Sequence, residues 1–519
     1  MTCRIRTGLM VHDLSRNIIE RIKSGDIRTK DQLQKAKLKL AGEYKLKAVP
    51  QNSEILADAE KDELKIILPL LRRKPVRTVS GVAVVAVMTS PHPCPHGKCT
   101  YCPGGVDNGS PQSYTGKEPA ARRAIRNDFD PFSQVLDRIT QLEAIGHRTD
   151  KIDLIIMGGT FTSRSEEYQE WFVRRCFDAM NGNESKSMDE AHEKNSTSKH
   201  RCIGLTVETR PDVFDNEQIQ RAMAFGATRA EIGVQILDDE ILKNVNRGHG
   251  IKEITEATKN CKQKGLKVCY HLMPGLPGSS YEKDIGSFER IFSDSDFRPD
   301  MLKFYPTLVI EGTELYDLWR SGKYVPYDTE EGVKLISQMK SYVPEYVRIQ
   351  RIQRDIPVPQ IAAGIMKSNL RELAQEELIS KGEQCRCIRC REVGQNDISL
   401  SDASLITMKN TEYKASGGIE HFISLEYDDM IIGYIRLRFD DDVASIRELK
   451  VFGRMEGIGE HGDEWQHKGF GKQLMKKAEE LSAAEGKRMI RITAGVGVRE
   501  YYSSLGYELQ APYMVKSIH

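Results

Sequence analysis

The chain has 519 residues, 39% of them hydrophobic, with 76 Lys and Arg against 75 Asp and Glu for a formal net charge of +1. That length holds two or three domains, each with its own core. No apolar stretch approaches a membrane span and Met1 to Arg6 has no apolar signal core, which speaks against a spanning or exported protein and for a soluble, cytoplasmic one.

The near-neutral total hides a local asymmetry. Residues 1 to 80 carry 18 Lys and Arg against 10 Asp and Glu, with Lys35, Lys37, Lys39, Lys45 and Lys47 followed by Arg72, Arg73, Lys74 and Arg77. Short amphipathic helices are expected over residues 9 to 71, and Pro75 ends this basic lobe. A basic lobe on a neutral protein suits a polyanionic partner, although Lys-rich helices are also ordinary solvated faces.

From Val76 to about Lys340, apolar runs alternate with helical patterns. Val82 to Met88, Ile152 to Met157, Cys202 to Val207, Arg229 to Val234, Leu266 to His271 and Met301 to Tyr305 are strand candidates, which predicts βα units around a parallel sheet or partial barrel. Cys94, Cys99 and Cys102 follow the first run. Three thiolates this close suit a [4Fe–4S] cluster whose fourth iron stays open to a small molecule, or a structural zinc with a distant fourth ligand. Scattered single cysteines elsewhere argue against disulfides. The polar tract Asn181 to His200 reads as a surface insertion.

Residues 341 to 400 read as a basic linker. Arg348, Arg351 and Arg354 lie in a strand-like alternation with arginines along one face, and Cys385, Cys387 and Cys390 stand among charged neighbours. Such a set does not suit an apolar interior; it suits a zinc with one outside ligand, or three unliganded thiols in a loop. Residues 401 to 519 follow another pattern: strands His421 to Tyr427, Met430 to Phe439 and Ala444 to Phe452, then Gln466-His467-Lys468-Gly469-Phe470-Gly471, a helix from Lys472 to Glu485 and a strand Met489 to Thr493. Glycines at a strand-to-helix turn let backbone N–H groups approach a pyrophosphate. With Glu448 to Val451 before this turn and Tyr501, Tyr502 and Tyr507 after it, the order resembles the GNAT acetyltransferases.

The resemblance then extends along the chain. Cys102-Pro103-Gly104-Gly105, Met157-Gly158-Gly159-Thr160-Phe161, Glu208-Thr209-Arg210-Pro211-Asp212, Glu231-Ile232-Gly233-Val234-Gln235, Asn246-Arg247-Gly248-His249 and Gln353-Arg354-Asp355-Ile356-Pro357 together resemble the catalytic subunits of Elongator in their archaeal single-chain form. One departure from the general radical SAM pattern, C-x3-C-x2-C, is the four residues between Cys94 and Cys99. The resemblance implies an α/β fold: a helical tRNA-binding lobe (1–75), a radical SAM partial (β/α) barrel (76–340), the linker (341–400) and a GNAT domain (401–519).

It also implies a chemistry. Cys94, Cys99 and Cys102 would hold the cluster, Gly158 and Gly159 would approach S-adenosylmethionine, and the resulting radical would take hydrogen from the acetyl methyl of acetyl-CoA so that a carboxymethyl group ends on C5 of a tRNA wobble uridine. Glu448, Leu449, Lys450 and Val451 would run beside the pantetheine arm, Gly469, Phe470, Gly471 and Lys472 would cover the pyrophosphate, Tyr502 would serve the departing thiolate, and Lys151 would reach acetyl-CoA. Read alone, Tyr502 is as well a core aromatic, Lys151 a solvated strand start, and the glycine pair an ordinary turn. Arg348, Arg351, Arg354, Arg72, Arg73 and Lys74 are the candidate contacts to the tRNA anticodon arm. A homodimer or Elongator-type accessory subunits are the protein partners the resemblance allows. Two other readings stand beside it: a protein lysine acetyltransferase with Glu448 as base and a structural iron–sulfur half, and a non-enzymatic RNA scaffold.

Overall fold

The computed structural model describes residues 2–46, 48–60, 62–72, 81–393, 403–452 and 469–518. The first four helices, Thr2–Lys23, Lys30–Glu43, Asn52–Ala57 and Leu64–Leu71, enclose a small core of their own around Leu14, Ile18, Ile55 and Ile67. Its polar clasp is Glu63, which is buried and accepts from Arg16 Nη1 at 2.7 Å and Lys23 Nζ at 3.0 Å. Arg72 ties the lobe to the next domain by donating from Nε to the Gly146 carbonyl at 2.9 Å.

That next domain is a half-barrel. Strands β1 (Ala83–Met88), β2 (Lys151–Met157), β3 (Arg201–Thr209), β4 (Arg229–Gln235), β5 (Lys267–Leu272) and β6 (Met301–Phe304) pair in parallel and in sequence order. They fall where the apolar runs predict, because their outward residues sit under helices. β7 (Val309–Ile310) and β9 (Ile361–Ala363) make a separate two-stranded ribbon.

Two expectations are corrected here. The arginine strand β8 (Arg348–Ile352) is the seventh strand of the half-barrel, paired in parallel with β6. A bulge sets Arg348 beside Met301 and Arg351 beside Lys303, so Gln350 is the extra residue and both arginines share one face despite their odd spacing. The tract 181–200 is no loose insertion. It holds a helix, Met188–Thr197, capped by Ser187, that buries Ala191, His192 and Asn195 and packs against the Val496–Val498 turn. Its polar composition conceals this because the buried Asn195 is satisfied, donating to Asn181 and the His200 carbonyl and accepting from Cys202 N–H.

The C-terminal sheet runs β10 (Thr407–Ala415), β11 (Gly418–Tyr427), β12 (Met430–Phe439), β13 (Val443–Val451), β14 (Met489–Ile492), β16 (Tyr513–Ser517) and β15 (Glu508–Gln510), with helix Phe470–Ala484 packed on it. β10 is an exposed edge strand without apolar alternation, which is why the pattern gives no sign of it. Gln466, His467 and Lys468 of the glycine turn lie outside the described residues.

A buried ionic seam joins this sheet to the half-barrel. Arg447, the extra residue of a bulge between β12 and β13, donates to Asp300 at 2.8 Å and to Glu420 at 2.8 Å. Lys262 donates to Glu420 at 3.2 Å, Arg438 to Glu420 at 3.1 Å, and Arg436 to Glu448 at 2.9 Å. Asp300 also accepts from Val268 N–H at 2.8 Å. Burial pushes the Asp300 carboxyl up, but Arg447, Lys262 and Arg436 outweigh it and hold the group well below the usual carboxylate range. Removing one member of such a seam strands the others in a dry interface, at a cost of about 3–5 kcal/mol. Asp300→Asn is therefore expected to lower the thermal transition by several degrees; a transition within about a degree of the wild type would show that the seam does not hold the domains.

Candidate active site

Two cavities lie at opposite ends of the half-barrel. The upper one sits at the C-terminal ends of the strands, where βα loops converge, and is lined by Cys94, Cys99 and Cys102, by Gly159 and by the ends of β3 to β6. All three thiols are buried. Their loop is turned by Gly97 at φ 92°, with Gly97 N–H on the Cys94 carbonyl and Cys102 N–H on the Cys99 carbonyl. Donors point at the sulfurs: Ser113 N–H to Cys102 at 3.3 Å and Arg247 Nη1 to Cys99 at 3.7 Å, while Thr160 Oγ1 lies 3.4 Å from Cys94. Burial pushes the Cys94 and Cys102 thiols up.

The walls are charged. Arg210 donates to His96 Nε2 at 2.8 Å, leaving buried His96 Nδ1 without a partner. Burial, with Arg210 and Arg247 beside it, brings the His96 imidazole down to about 4, so it is neutral. Glu231 bonds His271 at 2.9 Å and Lys303, yet its Oε1, like Gln235 Oε1, has no hydrogen-bond partner. Three buried thiols with N–H donors aimed at them, and unsatisfied polar atoms around the same space, fit a cluster and a polar co-substrate.

The two glycines separate in role. At Gly158 a Cβ would fall 2.0 Å from Thr89 Oγ1, so the turn itself excludes a side chain there; only Gly159 lines the cavity.

The lower cavity, about 850 Å³, lies between the N-terminal ends of the strands and the C-terminal sheet. β13 pairs with β14 only through Ile446, while it pairs with β12 as far as Val451. The sheet is thus split, and Arg447 to Val451 leave main-chain groups on the β14 side outside the ladder. Glu448, Leu449, Lys450, Val451, Gly469, Gly471, Lys472, Tyr502 and Lys151 all line this cavity, so the structure brings together residues from distant parts of the chain. Phe470 is the exception: it is a buried first residue of its helix, packed in the core. Gly469 has φ 79°, and a Cβ at Gly471 would stand 3.0 Å from Tyr501 Oη. Burial raises the Tyr502 hydroxyl and lowers the Lys151 ammonium. Burial would raise Glu448 too, but Lys267, Arg436 and Lys450 hold it down at about 2.

The linker arginines turn inward. Arg348 grips Glu392 at 2.6 and 3.1 Å, Arg351 pairs with Asp355, and Arg354 donates to the Ser113 carbonyl over the Tyr114 and Tyr305 rings. Arg348 lines the lower cavity, Arg354 the upper, and Arg351 both. Arg73 and Lys74 lie outside the described residues.

Cys385, Cys387 and Cys390 correct another expectation. Cys385 and Cys387 are buried in the core, and the three sulfurs lie within 4.8 Å of one another. Their charged neighbours point away, Arg386 to Asp429 and Arg391 to Glu426. Hydrogen bonds from Cys385 and Cys390 keep the Cys387 thiol well below its usual range, a donor set suited to one thiophilic ion.

Sequence reasoning missed the charged inner face of the half-barrel: Arg229 and Glu231, Lys267 and His271, Lys303 and Tyr305. The signal was present as polar residues at alternate positions within the apolar runs.

Family models match most of the chain: the ELP3 N-terminal domain over 11–79, the Radical SAM superfamily over 90–289, the Radical_SAM C-terminal domain over 299–380 and the Acetyltransferase (GNAT) family over 394–507. The chain is 50% identical to the tRNA uridine(34) acetyltransferase of Methanocaldococcus infernus, over 98% of this chain and 100% of that one. It is 42% identical to Elongator complex protein 3 of Homo sapiens, over 98% and 97%. A solved structure, the archaeal Methanocaldococcus infernus Elp3 with an N-terminal deletion (1–46), matches with a TM-score of 0.75 and 47% identity, over 85% of this chain and 100% of that one.

Glu448 gives a test of the lower cavity's electrostatics. Its carboxyl is held at about 2 against an ordinary 4.5, so its stabilising contribution is complete above about pH 4.5 and is lost as pH falls toward 2. Glu448→Gln is expected to flatten acid unfolding within that window, measured by urea denaturation at a series of pH values; an unchanged acid limb would mean that its cationic neighbours do not act on it.

Proposed function

The chain belongs to the Elongator complex protein 3 family, and from that premise we propose how its two cavities work together on the wobble uridine of tRNA, ending in a carboxymethyl group at C5. The protein is a tRNA-modifying acyltransferase with a radical SAM half-barrel and a GNAT domain. The observation that carries the reading is the placement of a three-cysteine cavity and a split-strand cavity at the two ends of one half-barrel.

A [4Fe–4S] cluster held by Cys94, Cys99 and Cys102 supplies, with S-adenosylmethionine, the carbon-centred radical chemistry that an acetyltransferase lacks. Arg247 and Ser113 N–H stabilise thiolate charge on the sulfurs. The open Gly159 corner and the unmatched Glu231 and Gln235 oxygens suit the amino group and ribose of the co-substrate. In the lower cavity the unpaired backbone of Glu448 to Val451 accepts the amide-bearing arm of acetyl-CoA as an added strand. Gly469, Gly471 and Lys472 lie at a helix N-terminus and suit the pyrophosphate. Tyr502 keeps its proton at neutral pH because it is buried, and can deliver it to a departing thiolate; Lys151 polarises the thioester carbonyl.

Lysine acetylation is the weaker reading. A base for an amine substrate needs a carboxylate poised to accept a proton, and Glu448 is held at about 2 by Lys267, Arg436 and Lys450. Cys385, Cys387 and Cys390 suit a zinc, and Elongator-type accessory subunits or a second copy are the protein partners in this scheme, set in the cytoplasm. Among the described residues no helix is long and apolar enough to cross a membrane.

Anaerobic turnover with tRNA, S-adenosylmethionine and acetyl-CoA is expected to yield 5′-deoxyadenosine and a modified wobble uridine, read by nucleoside mass spectrometry. Cys94→Ala, Cys99→Ala or Cys102→Ala should remove the cluster absorbance and the product while leaving acetyl-CoA binding intact, and Tyr502→Phe should bind acetyl-CoA but cleave it more slowly. A cysteine variant with full iron content would reassign the ligands. Because the linker arginines face inward, tRNA phosphates fall mainly to the basic lobe. Deleting residues 1–72 should lower the slope of log K against log salt by several units, since each phosphate neutralised releases about one counterion; an unchanged slope would move tRNA binding elsewhere.

A further inference from the structure

A parallel sheet covered by helices is normally buried on both faces, but the inner face of this one is accessible along β1 and β2 from end to end. On β2, Lys151, Asp153, Ile155 and Met157 are half-buried while Ile152, Leu154 and Ile156 between them are fully buried. On β1, Val84 is 44% exposed and Ala86 half-buried, between the fully buried Ala83, Val85 and Val87. The register sets Val84 beside Asp153, Ala86 beside Ile155 and Met88 beside Met157, so these side chains form one strip.

The strip joins the two cavities. The lower cavity reaches up to Ile155, the upper begins at Met157 and Met88, and Arg351 of β8 walls both. Ile155 and Met157 are two positions apart along the strand, a step of about 7 Å. β1 and β8 are the free ends of the half-barrel, and among the described residues no strand closes the opening between them; Gln350 and Arg351 wall the same cavity as Val84, Asp153 and Ile155.

We propose that this strip is a track for the acylated end of the pantetheine arm, which advances along it from the lower cavity into the upper one with the thioester still intact. The inference rests on the proposed function, in which the acyl donor enters below and uridine is modified above. The chemistry of the walls fits such an arm. Val84, Ala86 and Ile155 offer apolar contact to its methylenes and acetyl methyl, and Arg351 and Lys303 offer N–H donors to carbonyl oxygens. The arm changes position and no bond is made or broken on the way; Tyr502 and Lys151 serve a thioester that stands in the lower cavity, so its cleavage there and its advance are alternatives. Arg351, paired with Asp355, is the wall that the arm must pass.

Ala86 lines neither cavity, so a bulky side chain there blocks the track alone. In the holoenzyme, Ala86→Phe is expected to keep acetyl-CoA binding within about twofold while uridine modification, and with it the 5′-deoxyadenosine that needs the acetyl hydrogen, falls roughly tenfold or more, and Ala86→Ser is expected to modify at the wild-type rate. Modification by Ala86→Phe at the wild-type rate would overturn the track. A second measurement needs neither turnover nor the bulky variant: holoenzyme carrying Ala86→Cys is mixed with bromoacetyl-CoA, whose acyl methylene forms a C–S bond to the new thiol as bromide leaves, and the adduct is read by intact mass. Capture above the wild-type background and suppressed by acetyl-CoA is expected, whereas capture at an exposed control, Ile379→Cys, should not respond to acetyl-CoA. No capture at position 86, or capture that acetyl-CoA does not suppress, overturns the proposal. Failure of the wild-type enzyme to modify uridine would instead sink the functional reading, so the two outcomes are distinguishable.

Discussion

The constraint on which the molecule depends is the need to neutralise charges buried between its two large domains. Asp300, at the foot of β6, and Glu420, on β11, are fully enclosed; Glu420 is met by Arg438 and Arg447 of its own sheet, whereas Asp300 takes its guanidinium partner from across the domain boundary. Arg447 bonds both. Such a seam contributes little net stability compared with a well-packed apolar interface, but it tolerates only one docking geometry, because any slip leaves a carboxylate or guanidinium without a partner. The bulge that re-aims Arg447 into it also ends the pairing of β13 with β14, so the device that docks the domains also opens the split from which the lower cavity is built.

A consequence follows for the half-barrel. Seven strands do not close, so the inner face cannot be filled with branched aliphatic layers as in a closed eight-stranded barrel. It carries Asp153, Arg229, Glu231, Lys303 and His271 instead, linked as ion pairs from the lower rim to the upper. Polar groups in that position are costly unless paired, and those left unmatched, Gln235 Oε1 and Thr206 Oγ1 among them, mark space for water or substrate. The open side, between β1 and β8, is where the accessible strip runs.

The two cysteine sets show how setting decides chemistry. Cys94, Cys99 and Cys102 lie on a glycine-turned loop at the mouth of a cavity, with N–H donors and arginines around them. Cys385, Cys387 and Cys390 close on one another at the edge of the core and line neither cavity. The first arrangement would expose a bound group to substrate and the second would enclose one, the difference between a reactive and a structural metal site.

Local pattern sufficed for much of this. The apolar runs located six of the half-barrel strands, since a strand buried on its outer face must repeat apolar residues at period two, and the glycine turn located the start of the C-terminal helix. Cys94, Cys99 and Cys102, and Tyr501 and Tyr502 near the end, fall on the linings of the two cavities. What local pattern could not supply was partnership. Asn195 reads as a solvated residue until Cys202 and His200 are beside it, and the linker arginines read as a phosphate clamp until Glu392, Asp355 and Ser113 are seen to take them. The cysteines at 385 to 390 read as exposed among charges until those charges find Asp429 and Glu426. The deciding contact lies 7 residues away for Asn195, 44 for Arg348, 241 for Arg354 and 43 for Arg386, and the bulge at Gln350 shifts the arginine register by one. A polar side chain has the same composition whether it meets water or a distant partner, and only the tertiary structure decides between them.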